Sequence, residues 1–116
     1  IGAALGTQWA SPESTVVCIT SDQSFLQATQ ALWTAAHYVL NTKVILVNNG
    51  GSDSLNLHLG NADHQFPLDC PEIEFSQLAK AMTIQALKAE TMGQLEHALG
   101  MMFDSTGPFL IDARIR

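Results

Sequence analysis

The sequence predicts an α/β domain with a mostly parallel sheet and helices on both faces. Apolar runs of strand length alternate with segments of helical period along the whole chain. The apolar runs are continuous rather than alternating, which is typical of strands that helices cover on both faces. Strand–helix alternation favours right-handed crossovers between parallel strands. With 116 residues, 47% of them hydrophobic, we expect residues 1–116 to form one domain.

The first half of the chain predicts two strands with one helix between them. A β-branched run predicts the first strand over 15–20. Apolar residues then recur with a 3.6-residue period and predict a helix over 24–39. Ser24, with Gln27 three residues later, has the spacing of a capping box at the start of this helix. The next β-branched run predicts the second strand over 43–47, and a polar, glycine-rich turn ends it.

The second half of the chain begins with a long irregular stretch. Residues 48–71 show little pattern beyond a short helix over 54–59, and such a stretch in a small domain is usually a functional loop. Thr91 has the residue type of a helix N-cap. Four further elements are predicted in order: helix 74–82, strand 84–87, helix 91–103 and strand 109–113.

Charge and cysteine content restrict the partners and the compartment. Five Lys and Arg against eleven Asp and Glu give a net charge of -6, which argues against nucleic acid or an anionic membrane as the main partner. No apolar run approaches the roughly 20 residues that span a bilayer. Cys18 and Cys70 lack a CxxC spacing, so we expect reduced thiols and a cytoplasmic protein.

The surface composition and the start of the chain both predict a larger protein. Charged residues make up 14% of the chain, which is low for a small domain that is exposed on all sides. We therefore expect another domain or subunit to cover part of it. The chain begins at Ile1 with neither Met nor a basic leader, so we expect it to be a fragment of a longer protein.

Polar residues follow the first two predicted strands, where parallel sheets bind their ligands. Asp22 follows the first strand, and Asn48-Asn49-Gly50-Gly51 follows the second. Carboxylate, amide and backbone oxygens are the ligands that Mg²⁺ prefers, and a helix that starts near Ser24 offers N–H groups to a phosphate. Taken separately, Asp22 and Ser24 fit helix caps, and residues 48–51 fit an ordinary turn. Together they predict a site for a metal ion and a diphosphate.

These residues resemble the signature of thiamine diphosphate-dependent enzymes. That signature is a Gly-Asp-Gly triplet, some two dozen residues, and then Asn-Asn at the end of a strand. Here Ser21-Asp22-Gln23 stands in place of the triplet, and Asn48-Asn49 follows twenty-six residues after Asp22. The chain resembles the C-terminal diphosphate-binding domain of benzoylformate decarboxylase-like 2-oxo acid decarboxylases. The further matching stretches are 4–13, 31–38, 75–80, 85–89 and 107–111.

The resemblance implies a set of ligands. The carboxylate of Asp22, the side-chain oxygen of Asn49 and the backbone carbonyl of Gly51 would bind Mg²⁺. Leu55 would face the thiazolium ring of the cofactor and the substrate, and no residue of this chain is expected to be the catalytic acid or base. The residues implied in binding the cofactor are Asp22, Gln23, Ser24, Asn49, Gly51, Ser52 and Asp53.

The resemblance also implies an activity and a partner. A 2-oxo acid would lose carbon dioxide and yield an aldehyde, with thiamine diphosphate and Mg²⁺ as cofactors. The glutamate that activates the cofactor would come from a pyrimidine-binding domain of the same or a partner subunit. The full-length protein is therefore expected to be a homo-oligomer, and this chain alone is expected to be inactive.

Three departures from the signature keep an alternative open. Ser21 and Gln23 replace the triplet glycines, and a Cβ there would be costly if φ were positive. Asp53 places a carboxylate where a phosphate is expected, and Ser52 stands where relatives often have Tyr. A non-catalytic relative that has kept the fold and lost the cofactor explains these departures. A nucleotide-binding or receiver-type module is a third alternative, but no GxGxxG or P-loop motif supports it.

Overall fold

A computed structural model describes residues 1–51 and 72–115. Its centre is a four-stranded sheet in the order β1-β2-β4-β3, in which all neighbouring strands are parallel. The strands are β1 (Val16–Ser21), β2 (Thr42–Asn48), β3 (Gln85–Ala89) and β4 (Phe109–Arg114). The helices are α1 (Gly2–Ala10), α2 (Asp22–Leu26), α3 (Ala31–His37), α4 (Phe75–Ala81) and α5 (Met92–Asp104). The predicted parallel α/β fold is confirmed.

Helices cover both faces of the sheet, as expected, but unequally. Helices α1 to α4 contribute to a core on one face, and α5 packs on the other face over β3 and β4. From β1 to β2 to β3 the chain moves across the sheet in one direction, and from β3 to β4 it moves back. Helix α5 connects β3 to β4. Because such crossovers are right-handed, the reversal of direction places α5 on the opposite face. The main core includes Leu5, Phe25, Leu32, Leu46, Phe75 and Leu110.

The predicted helix over 24–39 is wrong as a single helix. Helix α2 ends at Leu26 and α3 begins at Ala31. Between them, the N–H groups of Ala28 and Ala31 donate to carbonyls three residues earlier at 3.0 Å, as in a 3₁₀ helix rather than an α-helix. The interruption lies in a mostly polar stretch that contains Thr29, whose β-branched side chain lowers helix propensity.

The predicted cap at Ser24 is also wrong, because the helix begins one turn earlier. The side chain of Ser21 is the cap, and its Oγ accepts a hydrogen bond from the Ser24 N–H at 3.3 Å. Strand β1 therefore leads into α2 without a loop, and Asp22 is the first helical residue. By contrast, the cap predicted at Thr91 is confirmed, since its Oγ1 accepts from the Gln94 N–H at 3.3 Å.

The remaining predicted elements are present with ends that differ by one or two residues. Strand β2 continues through Asn48, which the sequence places in the turn. The short helix predicted over 54–59 lies outside the described residues. Cys18 is a free thiol. No helix within residues 1–51 and 72–115 is long and apolar enough to cross a membrane.

A lysine is buried at the amino-terminal end of the sheet, where the inner strand β2 begins. Lys43 is 1% exposed, and its ammonium group donates to the carbonyl of Gly107 at 2.7 Å and to that of Ser105 at 2.9 Å. The Ser105 hydroxyl lies 3.1 Å from the same nitrogen. Because Ser105 follows the last residue of α5, the cation also lies at the negative end of that helix.

Candidate functional site

Asp22 lies at the carboxyl end of β1 and is 4% exposed. Its Oδ1 accepts a hydrogen bond from the N–H of Gln23 at 2.8 Å, and its Oδ2 accepts from the N–H of Gly51 at 3.2 Å. The second bond joins the ends of β1 and β2, which are adjacent in the sheet. An ionised carboxylate has about four acceptor positions, so both oxygens retain lone pairs that a cation can use.

The turn that follows β2 is held by its own amide side chains. The N–H of Gly50 donates to Oδ1 of Asn48 at 3.0 Å, and the N–H of Gly51 lies 3.4 Å from Oδ1 of Asn49. Gly50 has a φ of 72°, in the left-handed region that glycine adopts without strain. The turn therefore places Gly51 beside Asp22, while Asn49 lies two residues earlier in the same turn.

Two neighbouring cavities open at this edge. The first has a volume of about 210 Å³, and Asp22, Gln23, Gly51 and Phe75 contribute to its walls. The second, of about 250 Å³, is lined in part by Asn49. Both cavities share the walls formed by Asn48, Gly50, Glu72 and Arg114.

An ion network lies beside these cavities. The guanidinium of Arg114 is 2.9 Å from the carboxylate of Glu72 and 3.1 Å from that of Glu74. Its Nε is 3.6 Å from Oδ1 of Asp112, which is fully buried. Burial raises the pKa of the Asp112 carboxyl, although a hydrogen bond from Asn48 and the charge of Arg114 act in the opposite direction.

The charge at this edge of the sheet is negative. Lys88 lies 3.2 Å from Glu74 and 2.8 Å from Glu90, and hydrogen bonds to these carboxylates raise the pKa of the lysine. A diphosphate is strongly anionic, so such surroundings oppose its binding unless a cation intervenes. Among residues 1–51 and 72–115, the carboxylates at this edge are Asp22, Glu72, Glu74, Glu90 and Asp112, and the cations are Lys88 and Arg114.

The oxygen donors at this edge fit Mg²⁺. A carboxylate (Asp22), an amide oxygen (Asn49) and the backbone of Gly51 lie at the ends of two adjacent strands, and a hard cation prefers such oxygen ligands. Among residues 1–51 and 72–115, no group of three or more His, Cys, Asp or Glu side chains could hold a metal ion. A cation site built from these described residues would therefore use amide and backbone oxygens in addition to Asp22.

The other residues predicted at the site have different positions. Gln23 lines the first cavity with Asp22 and Gly51. Ser24 is exposed, its N–H is bound to the Ser21 side chain, and its hydroxyl lies 3.0 Å from the Ser21 hydroxyl. Ser52, Asp53 and Leu55 lie outside the described residues.

The replacement of the triplet glycines causes no backbone strain. Ser21 has a φ of -83°. Gln23 also lacks a positive φ, because Val39 and Thr83 are the non-glycine residues with positive φ in the described part of the chain. The cost that positive φ would impose on a Cβ at positions 21 and 23 is therefore absent. The side chain of Gln23 nevertheless lies at a wall of the first cavity.

Sequence reasoning missed three residues of this site: Asn48 as an internal hydrogen-bonding group, Asp112 and Arg114. The signal for Asp112 was present, because it is the one charged residue in the apolar run over 109–113. A charged residue in a strand covered on both faces needs partners, and this requirement points to a polar cluster at the end of β4.

Comparisons with known proteins agree with this fold. The family model described as thiamine pyrophosphate enzyme, C-terminal TPP binding domain, matches residues 1–113. Benzoylformate decarboxylase of Pseudomonas aeruginosa is 33% identical over 112 residues, which are 95% of this chain and 21% of that protein. Acetolactate synthase isozyme 2 large subunit of Escherichia coli is 34% identical over 118 residues, covering 97% of this chain and 21% of that protein.

A solved structure gives the same result. The thiamine diphosphate-dependent 4-hydroxybenzoylformate decarboxylase of Rhodococcus jostii RHA1 superposes with a TM-score of 0.90 at 30% sequence identity. The superposition covers 98% of this chain and 22% of that chain. The chain thus spans about a fifth of the length of these relatives.

Proposed function

This chain belongs to the family of C-terminal thiamine pyrophosphate-binding domains of thiamine pyrophosphate enzymes, and from that membership we propose that it binds the cofactor (also called thiamine diphosphate) through Mg²⁺. We propose that it does so as the C-terminal domain of a longer 2-oxo acid decarboxylase. The observation that carries the proposal is the 3.2 Å hydrogen bond from the Gly51 N–H to Asp22. It brings two of the three proposed metal ligands together.

Each proposed ligand has a physical role. Asp22 supplies the negative charge, and its hydrogen bonds from two backbone N–H groups hold the carboxylate at the edge of the sheet. Asn49 and the backbone carbonyl of Gly51 add neutral oxygen ligands, so the metal keeps positive charge for the diphosphate. Once bound, the cofactor supplies the electron sink for the loss of carbon dioxide from a 2-oxo acid.

The diphosphate and the substrate need further contacts. We assign Gln23, Ser24, Ser52 and Asp53 to the neighbourhood of the diphosphate, and Leu55 to the face of the thiazolium and the substrate. The catalytic glutamate belongs to a pyrimidine-binding domain of the same or a partner subunit in this proposal. A homo-oligomer in the cytoplasm is the form in which we expect the complete protein.

The direct test is calorimetric titration of the complete protein with thiamine diphosphate in the presence of Mg²⁺. We expect saturable binding at one site per chain. Thiamine monophosphate is the matched control ligand, because it lacks the terminal phosphate, and we expect it to bind much more weakly. Absence of a binding signal for the diphosphate, or equal affinity for the two compounds, would contradict the proposal.

The reaction needs a separate test, since relatives of two activities are similar to this chain. The TM-score of 0.90 to a decarboxylase supports decarboxylation of an aryl 2-oxo acid, and the 34% identity to an acetolactate synthase supports the second candidate. The complete protein should release benzaldehyde from benzoylformate and form no acetolactate from pyruvate. The reverse pattern would assign it to the synthases.

A non-catalytic relative remains the alternative that a specific observation favours. Gln23 occupies part of a wall of the first cavity, where the family signature has glycine. If the wild-type protein binds no cofactor and Gln23→Gly restores binding, the Gln23 side chain is what prevents the cofactor from binding. Unchanged affinity in Gln23→Gly would show that the glutamine does not obstruct the site.

A further inference from the structure

A fully buried carboxylate on the central strand β4 is connected to the turn that carries two proposed metal ligands. Asp112 is 0% exposed. Its Oδ1 accepts a hydrogen bond from Nδ2 of Asn48 at 2.8 Å. In the sheet, Asp112 lies opposite Leu46 and Arg114 lies opposite Asn48, so Asn48 and Asp112 project from the same face of neighbouring strands.

The carboxylate determines which way the Asn48 amide is oriented. The guanidinium of Arg114, 3.6 Å away, favours the ionised form of Asp112. An ionised carboxylate only accepts hydrogen bonds, so the amide must present its nitrogen to Asp112. The amide oxygen is then directed at the turn, where it accepts from the N–H of Gly50 at 3.0 Å. The opposite amide orientation would set an oxygen against a carboxylate and a nitrogen against an N–H group. Both contacts would be repulsive.

Gly51, which follows Gly50, continues this series of hydrogen bonds to Asp22. The N–H of Gly51 donates to Oδ2 of Asp22 at 3.2 Å. The turn over 48–51 is thus held at its start by Asp112, through Asn48, and at its end by Asp22. The turn supplies two proposed ligands. Gly51 is itself the second point of attachment, and Asn49 lies between the two points.

We propose that Asp112 is a positioning residue, which orients Asn48 and thereby fixes the 48–51 turn in the geometry that binds the metal ion. Asp112 does not touch the metal or the cofactor in this proposal. Such partners of a ligand shell typically change metal affinity by about 10- to 100-fold when they are altered. The part of the proposal that concerns the metal rests on the proposed function, whereas the part that concerns the turn does not.

The decisive variant is Asp112→Asn, which keeps the size of the side chain. An asparagine carries both a donor and an acceptor, so it no longer imposes one orientation on the Asn48 amide. We expect the Mg²⁺ dissociation constant, measured at saturating thiamine diphosphate in the complete protein, to rise about 10-fold or more. We also expect faster backbone amide exchange at Gly50 and Gly51 in the protein without ligands.

A control and a rescue separate positioning from a general loss of stability. Ile111→Val removes one methylene from the same strand on the opposite face, and it should leave both readouts unchanged. The exchanged pair Asn48→Asp with Asp112→Asn again gives one orientation, because the carboxylate at 48 accepts from both the new amide and the Gly50 N–H. We expect this double variant to recover slow amide exchange that Asp112→Asn alone has lost.

The two readouts distinguish the two proposals. If the wild-type protein binds no Mg²⁺ while Asp112→Asn speeds exchange in the turn, the proposed function is wrong and the positioning role of Asp112 is supported. If the wild type binds Mg²⁺ and Asp112→Asn changes neither its affinity nor the exchange rates, the positioning role is overturned. Faster exchange in Ile111→Val to the same extent would overturn it as well.

Discussion

The replacement Asp22→Asn tests the proposed metal site with the smallest change of shape. It removes one negative charge and keeps one oxygen ligand. At the usual Mg²⁺–oxygen distance of about 2.1 Å, a unit charge and a divalent cation attract by about 4 kcal/mol even at the dielectric constant of water. Since about 1.4 kcal/mol corresponds to a factor of ten, we expect Mg²⁺ affinity to fall roughly a thousandfold.

The same replacement also disturbs the local hydrogen bonds. The two carboxylate oxygens of Asp22 accept from the N–H groups of Gln23 and Gly51 at 2.8 and 3.2 Å. Asparagine can accept at only one of these positions, so one N–H group faces a second donor. That loss costs about 1–3 kcal/mol of folding free energy, which circular dichroism would detect as a lower unfolding temperature.

The assay is calorimetric titration with Mg²⁺ at saturating thiamine diphosphate, on the complete protein. Asp104→Asn is the matched control, because Asp104 is exposed and ends α5 at the opposite edge of the sheet; its affinity should equal that of the wild type. Should Asp22→Asn fail to fold, Asp22→Glu keeps the charge and should retain part of the affinity. A loss smaller than about tenfold in a folded Asp22→Asn variant would refute the assignment of Asp22 as a ligand.

Four other predictions concern stability and the cation requirement. Lys43→Met leaves the acceptors at Ser105 and Gly107 unpaired and should lower the free energy of unfolding by about 2–4 kcal/mol. Lys80→Met, on the surface of α4, is the control and should change it little. Urea denaturation measures both variants. Burial lowers the pKa of Lys43, so the folded protein releases its proton before the unfolded chain does. The wild type should therefore gain stability relative to Lys43→Met as pH rises from the lowered pKa towards 10.5, and a flat difference would contradict this. Chelation of divalent cations should abolish binding of thiamine diphosphate, because carboxylates outnumber cations among the described residues at the site. Tight binding in the presence of a chelator would contradict that reasoning. Gly50→Ala forces a Cβ into a residue with a φ of 72° and should destabilise the turn by about 1–2 kcal/mol, measured as a lower unfolding temperature.

The sequence predicted the parts of this molecule that depend on local pattern. Continuous β-branched runs identified β1 and β2, and the rule that ligands bind at strand ends selected Asp22 and residues 48–51. The structure confirms that these two segments lie side by side. The single helix over 24–39 was wrong because the apolar residues before and after the break keep a common helical period, while the short polar stretch between them, where the backbone tightens into 3₁₀ turns, was too brief to interrupt that pattern.

The partners of Asp112 were beyond local pattern. The bond from Asn48 to Asp112 joins residues separated by 64 positions, and it exists because β4 is inserted between β2 and β3. The order of strands within a sheet depends on long-range packing, which periodicity does not report. The fine assignment of oxygens to Mg²⁺ remains a prediction for the same reason, since it depends on how several distant segments meet.

The insertion of β4 in the middle of the sheet has a consequence for biosynthesis. A nascent polypeptide that has not yet extended past Phe109 leaves β2 and β3 without the strand they share. The buried carboxylate that orients Asn48 would then be missing, and the glycine turn would have only one of its two attachments. If the domain binds thiamine diphosphate as proposed, we therefore expect ribosome-bound chains that end before Phe109 to bind the cofactor weakly or not at all.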